Sequence, residues 1–196
     1  NEILIKNNND GLNILLMSVK FKSEKILKFL LNFSLRLPQH FTFELWKEAL
    51  KIAKREENCR LLEILANENF NVDDENQQEY QSIQTFCRDE IQKIEKFHAS
   101  IAAGNLKEVK QFVENNSDLK ICCDLNNVSA LDKAIDTKQF QIYSFLFSKK
   151  FNSDNPKLFE RKIKKLSENE KKEIRKENVK LCISDEDNFI NILLTK

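Results

Sequence analysis

The 196-residue sequence predicts an all-α protein built from a repeated helix–turn–helix unit. Three observations predict it. Glycine and proline occur only twice each, at Gly11, Gly104, Pro38 and Pro156, too few for the tight turns of an all-β sandwich. Apolar residues recur every three or four positions in short segments, the period of a helix that buries one face. Two stretches, one opening at Phe97 and one at Ser129, share an order of short helix, polar turn and more apolar second helix, so the chain carries an internal period.

The first unit covers about residues 8–36. It opens on Asp10-Gly11-Leu12-Asn13-Ile14-Leu15-Leu16-Met17-Ser18, with Asn13 as a helix cap, and Ile26, Leu27, Leu30 and Leu31 supply its second helix. The second unit, about 40–73, keeps Leu50 and Ala53, then Leu61-Leu62-Glu63-Ile64-Leu65, and ends in Asn69-Phe70-Asn71-Val72-Asp73. An inserted helix follows over 79–96, because Tyr80, Ile83, Phe86, Cys87, Ile91 and Ile94 recur at helical spacing. That helix is expected to run on toward the third unit and pack against its neighbours, with a partner-binding extension as the competing reading.

The third unit, about 94–123, has Phe97-His98 in its first helix, Gly104-Asn105 in its turn, and Val109, Phe112 and Val113 in its second helix. The fourth, about 126–152, has Ser129-Ala130-Leu131 and Ala134, then the apolar run Phe140 to Phe147. Leu27, Leu62, Val109 and Tyr143 hold equivalent places, 35, 47 and 34 residues apart. The longer interval reflects the insertion before Phe97. The small residues Ser18, Ala53, Ser100 and Ala134 let neighbouring helices approach, and Gly104 stands where a short turn needs positive φ.

Residues 153–196 read as a C-terminal helical cap or the start of a following region. Pro156 opens a helix to about Leu166, and Ser167-Glu168-Asn169-Glu170 caps another. Residues 157–180 hold ten Lys or Arg and five Glu. We read this block as the solvated face of capping helices, with attraction of an anionic partner as the competing reading. The apolar stretch Asn188 to Leu194 closes the array or begins a further unit.

The third and fourth units resemble the ankyrin repeat, whose pattern runs Gly-x-Thr-Pro-Leu-His-x-Ala-Ala, then Gly-His, then Ile-Val-x-x-Leu-Leu. Phe97-His98 stands for Leu-His, Gly104-Asn105 for Gly-His, and Ser129-Ala130-Leu131 for Thr-Pro-Leu. Asn13-Ile14-Leu15 and Asn69-Phe70-Asn71-Val72-Asp73 are weaker matches in the first two units. The resemblance covers about residues 7–152. It implies an ankyrin-like helical solenoid of about four degenerate repeats, with period about 33, an inserted helix and C-terminal capping helices. Thr-Pro is missing from every copy, so the helices rely on weaker caps and stacking is expected to be irregular.

Little in the sequence points to chemistry. His98 falls on a repeat position, where the resemblance implies a structural role, and His40 lies beside Pro38 with no motif around it. The five cysteines, Cys59, Cys87, Cys122, Cys123 and Cys182, form no regular framework and read as reduced thiols. Cys122-Cys123 is adjacent rather than spaced for zinc and reads as a small buried apolar pair. No glycine-rich phosphate loop is present. The sequence therefore predicts no enzyme, no cofactor and no metal. Most phenylalanines, including Phe29, Phe112, Phe145 and Phe147, are expected in the core. Trp46 is expected to be buried rather than a surface anchor.

The formal net charge of +1 argues against a dedicated nucleic-acid binder. No apolar run reaches the roughly 20 residues that span a bilayer. The cysteine pattern predicts a cytoplasmic protein, with the nucleus as alternative. The chain is expected to be monomeric as an isolated segment and non-catalytic, a scaffold for another protein. The ankyrin resemblance implies binding through hairpin tips and the concave face of the first helices. On this sequence those are Asn8, Asn9, Asp10, Lys20, Lys22, Lys54, Arg55, Asp73, Asp74, Asn126, Asn127, Thr137 and Lys138. Two other readings compete: a regulatory or targeting module of a longer enzyme or toxin, and nucleic-acid or membrane binding through 157–180.

Overall fold

The computed structural model describes residues 13–34, 42–56, 58–68, 72–116, 123–153 and 155–184. Among them the chain is all-helical, with ten α-helices, one 3-10 turn and no strand. The helices are α1 (Ile14–Lys20), α2 (Glu24–Ser34), α3 (Phe43–Arg55), α4 (Cys59–Ala66), α5 (Gln77–Ala102), α6 (Leu106–Asn115), α7 (Ala130–Asp136), α8 (Phe140–Ser148), α9 (Pro156–Lys165) and α10 (Glu168–Ser184). The 3-10 turn, Asp74–Asn76, leads into α5. None of these helices is long and apolar enough to cross a membrane.

Short polar side chains start most of the helices. The Leu16 N–H donates to Asn13 Oδ1 at 3.0 Å, and the Leu61 N–H to Asn58 Oδ1 at 3.0 Å. Ser129 Oγ accepts from the Asp132 N–H, and Asn155 Oδ1 from the Leu158 N–H just before Pro156 takes the first helical position. Each such cap satisfies an N–H that the first turn leaves without an intrahelical partner.

One turn recurs between paired helices. After α1 the Ser23 N–H reaches back to the Ser18 carbonyl at 2.8 Å, and the Lys22 N–H to Val19 at 3.0 Å. This is a Schellman closure, in which a residue of positive φ lets two N–H groups return to the last helical carbonyls. The same bonds follow α5 (Asn105 to Ser100, Gly104 to Ile101) and α7 (Gln139 to Ala134, Lys138 to Ile135). After α3 the Asn58 N–H bonds the Ala53 carbonyl in the same way. The positive-φ position is Lys22 (φ 53), Gly104 (φ 74) or Lys138 (φ 57). The acceptors Ser18, Ala53, Ser100 and Ala134 are all buried.

The chain divides into two compact units, residues 1–95 with 124–127, and 96–123 with 128–196. In the first unit α1 pairs with α2 and α3 with α4, while α1 lies against α3 and α2 against α4. Leu15, Val19, Leu27, Leu31, Leu61 and Leu65 interdigitate in the core between them. Trp46 is fully buried, and its indole N–H donates to the Leu65 carbonyl at 2.9 Å. Its ring stacks on Phe43 and tilts against Tyr80. Tyr80 and Gln84 then tie α5 to the end of α4, donating to the carbonyls of Glu68 and Ala66.

In the second unit α7 pairs with α8, and α6 also lies against α8. The last two helices continue the arrangement, α9 on α7 and α10 on α8. The C-terminal pair thus stacks as a further hairpin, first helix on first and second on second. Lys162 of α9 anchors it, bridging Asp132 at 3.1 Å and Asp136 at 2.7 Å. Asp132 also accepts from Ser129 Oγ and Ser153 Oγ. Tyr143 stacks between Phe147 and Phe159, and the buried Phe97 meets Phe112 and Phe151.

One expectation needs revision. Phe29 was expected in the core but is 64% exposed, and Ile26 also faces outward. Leu27, Leu30 and Leu31 take the inward face of α2, and at about 100° per residue a neighbour one step round points away. The inserted helix continues without a break into residues expected in the first helix of the third repeat. Residues 77–102 form one 26-residue helix, about 39 Å long at the usual rise. The expected hairpin residues 69–71, His40, Cys122 and the stretch 188–194 lie outside the described residues.

Candidate functional site

A groove opens in the first unit where α5 runs beside α3. Its cavity measures about 280 Å³, near the lower end of ligand-sized pockets. α3 contributes Lys47, Leu50, Lys51 and Lys54, and α4 contributes Leu62. α5 supplies Glu79, Ile83, Phe86, Cys87 and Glu90. The spacing explains both walls. Positions 47, 51 and 54 recur at four and three residues, so three ammonium groups share one face of α3. Positions 79, 83, 86, 87 and 90 do the same for α5. The floor is apolar and the rim is charged.

The rim charges are unequally compensated. Lys47 lies 2.6 Å from Glu44 and 3.2 Å from Glu79. The hydrogen bond to Glu44 holds its pKa above the ordinary lysine value against desolvation, and the hydrogen bond to Glu79 adds a smaller push in the same direction. Glu90 pairs with Lys93 at 3.3 Å. Lys51 is 74% exposed and reaches Glu48 only at 3.5 Å. Lys54 makes no ion pair among the described residues; its ammonium sits 4.2 Å from the centroid of the Phe86 ring. Phe86 is 45% exposed at the groove mouth. The uncompensated charge beside the apolar floor is therefore positive.

Cys87 is the floor's one sulfur. Burial pushes its pKa up, with Lys54 opposing and Glu90 adding. A thiol held in its neutral form is a poor nucleophile. His98 is buried in the second unit, with its ring edge-on to Phe97. Among the described residues no three His, Cys, Asp or Glu side chains are grouped to hold a metal ion. The groove therefore has the means to bind an apolar, charged ligand.

The residues expected to bind a partner fall in both units. Asn8, Asn9 and Asp10 lie outside the described residues. Lys20 ends α1 and Lys22 holds the positive-φ turn that follows. Lys54 lines the groove, while Arg55, next to it, is exposed with Glu56 at 3.8 Å. Asp73 and Asp74 are exposed at the start of the 3-10 turn. Asn126 and Asn127 are exposed at a tight turn, their N–H groups bound to the Asp124 carboxylate and carbonyl. Flanking that turn, Cys123 and Ser129 form an isolated antiparallel bridge. Thr137 and Lys138 are in the second unit and engaged there. Thr137 Oγ donates to the Lys133 carbonyl, and Lys138 pairs with Glu170 at 2.9 Å.

Sequence reasoning named Lys54 and the Phe86 stripe but did not join them with Lys47 and Lys51 into one groove. The period of α5 is visible in the sequence, where its apolar stripe reads first as packing surface and second as a partner-binding extension. The three-lysine face of α3 was equally visible. Comparison with known proteins returns no matching family model, no matching curated protein and no matching solved structure.

Proposed function

We propose that this chain is a non-catalytic protein-binding scaffold of helical repeats, of the ankyrin kind that its third and fourth hairpins resemble. The observation that carries the reading is the recurring Schellman turn. Four hairpins return an N–H to the carbonyl five residues back, on Ser18, Ala53, Ser100 and Ala134, although their turn sequences differ. Stacked helical hairpins of one geometry are how repeat proteins build extended binding faces. The isolated bridge at Cys123 and Ser129, flanking the exposed Asn126 and Asn127, supports a projecting tip between hairpins.

Binding of nucleic acid or an anionic membrane through 157–180 has less support. Lys162, Lys164 and Lys171 are already ion-paired, with Asp132 and Asp136, Glu160, and Glu168. Affinity capture from cell lysate, with proteins and nucleic acids both identified, tests the scaffold reading. Specific proteins retained at 150 mM salt, about the physiological range, support it. Recovery of nucleic acid or lipid alone, lost as salt rises, would transfer the function to α9 and α10.

A further inference from the structure

We propose that the groove between α3 and α5 binds an acidic peptide segment of a partner protein, one bulky apolar side chain entering the cavity beside Phe86 and flanking carboxylates pairing with Lys51 and Lys54. The proposal rests on the protein-binding reading and gives that binding a place and a chemistry. The place belongs to the inserted part of α5, which has no counterpart in a bare two-helix repeat.

Charge complementarity selects the occupant. The carboxylates lining the groove are taken, Glu79 by Lys47 and Glu90 by Lys93, and Glu44 beside them also pairs with Lys47. What remains open is cationic. Lys54 has only the Phe86 ring beneath it, and Lys51 is largely exposed at a long distance from Glu48. A basic peptide would have to break existing ion pairs to find carboxylates, whereas an acidic one meets Lys54 without breaking any. An apolar side chain seated against Leu50, Leu62 and Ile83 would cover the exposed face of Phe86 and displace Lys54 from it. That frees the ammonium for a carboxylate in the same step.

Size sets the ligand's length. Residues 79 and 90 are eleven positions apart on one helix, about 16 Å. That span is about five residues of extended peptide or three helical turns. A single cavity of about 280 Å³ admits one large side chain rather than a row of them.

Selection of random twelve-residue peptides displayed on phage, against the immobilised full chain, tests this. Enriched peptides should combine Asp or Glu with one Leu, Phe or Trp. Synthesised and labelled, they should bind at least tenfold more weakly to Lys54→Glu and to Phe86→Ala, and more weakly as salt is raised. Both positions are exposed, and helical circular dichroism checks that each variant folds. Basic peptides, peptides without an apolar anchor, or binding indifferent to both substitutions would overturn the groove proposal and leave the scaffold reading standing. Absence of any enriched peptide, together with no protein retained from lysate, would bring down both.

Discussion

The side-chain oxygen of Gln139 lies 2.7 Å from the point that a β-carbon on Gly104 would occupy. Both residues belong to Schellman turns, Gly104 after α5 and Gln139 after α7. Gly104 thus serves twice, by accepting a φ of 74° and by leaving room for a neighbouring turn. Gly104→Ala should lower stability by about 1–2 kcal/mol, mainly from the left-handed backbone. The Gln139 amide is the far end of a flexible chain and can swing aside. Lys150 presents the reverse case, a lysine at φ 63 whose turn closes from Phe151 to Leu146. Lys150→Gly should raise stability by about 0.5–1 kcal/mol. Urea midpoints of the two variants check both signs.

Lys162 should be the anchor of the C-terminal hairpin. Burial alone would pull its pKa down, but the hydrogen bonds to Asp136 and Asp132 outweigh this and hold it above the ordinary value. Lys162→Met leaves the Asp132 carboxylate buried without its cation and should cost about 1–3 kcal/mol. Adding Asp132→Asn should recover part of the loss. A double-mutant cycle in urea measures the coupling, and independent effects of the two changes would refute the anchoring role.

Acid should weaken the contact between α10 and the turn after α7. Glu170 is held down at about 2 by hydrogen bonds from Lys138 and from the backbone N–H and hydroxyl of Ser167. The folded pKa lies below the unfolded one, so the stabilisation is complete above roughly pH 5 and drains away as pH falls toward the folded value. Urea midpoints at pH 7 and pH 3 should therefore fall further for the parent chain than for Glu170→Gln. Equal falls would show that the carboxylate is not a contributor.

The buried thiols should be chemically quiet. Burial, with smaller contributions from Glu95, Asp124, Glu63 and Glu90, pushes Cys59 up to about 12. Cys87 is raised for the same main reason. Aromatic disulfide reagents should modify Cys59, Cys87 and Cys123 only slowly in the folded chain and promptly in denaturant. Mass spectrometry of the labelled peptides separates them from Cys122 and Cys182.

Local physics was readable from the sequence, and long-range placement was not. Asn13, Ser129, Pro156 and Ser167 announce helix starts because capping depends on residues three apart. Ser18, Ala53, Ser100 and Ala134 were marked by their size, and the structure adds that each gives its carbonyl to a returning N–H. Trp46 was expected inside and is. Phe29 misled because apolar residues lie on more than one side of α2. The ion pair of the exposed Lys138 was not readable because its partner, Glu170, is 32 positions away. The groove depends on which helix α5 lies against. Periodicity shows that α5 has an apolar face but not what that face meets. Lys54, expected on a concave face, also lines the cavity.

The returning turns also bear on how quickly the chain finds its structure. Each joins residues only five positions apart, so a hairpin can close before any distant part of the chain arrives. Proteins dominated by such near-sequence closure have low contact order and refold in microseconds to milliseconds. Consecutive hairpins would then form one after another as the polypeptide leaves the ribosome, each offering the next a finished surface on which to condense.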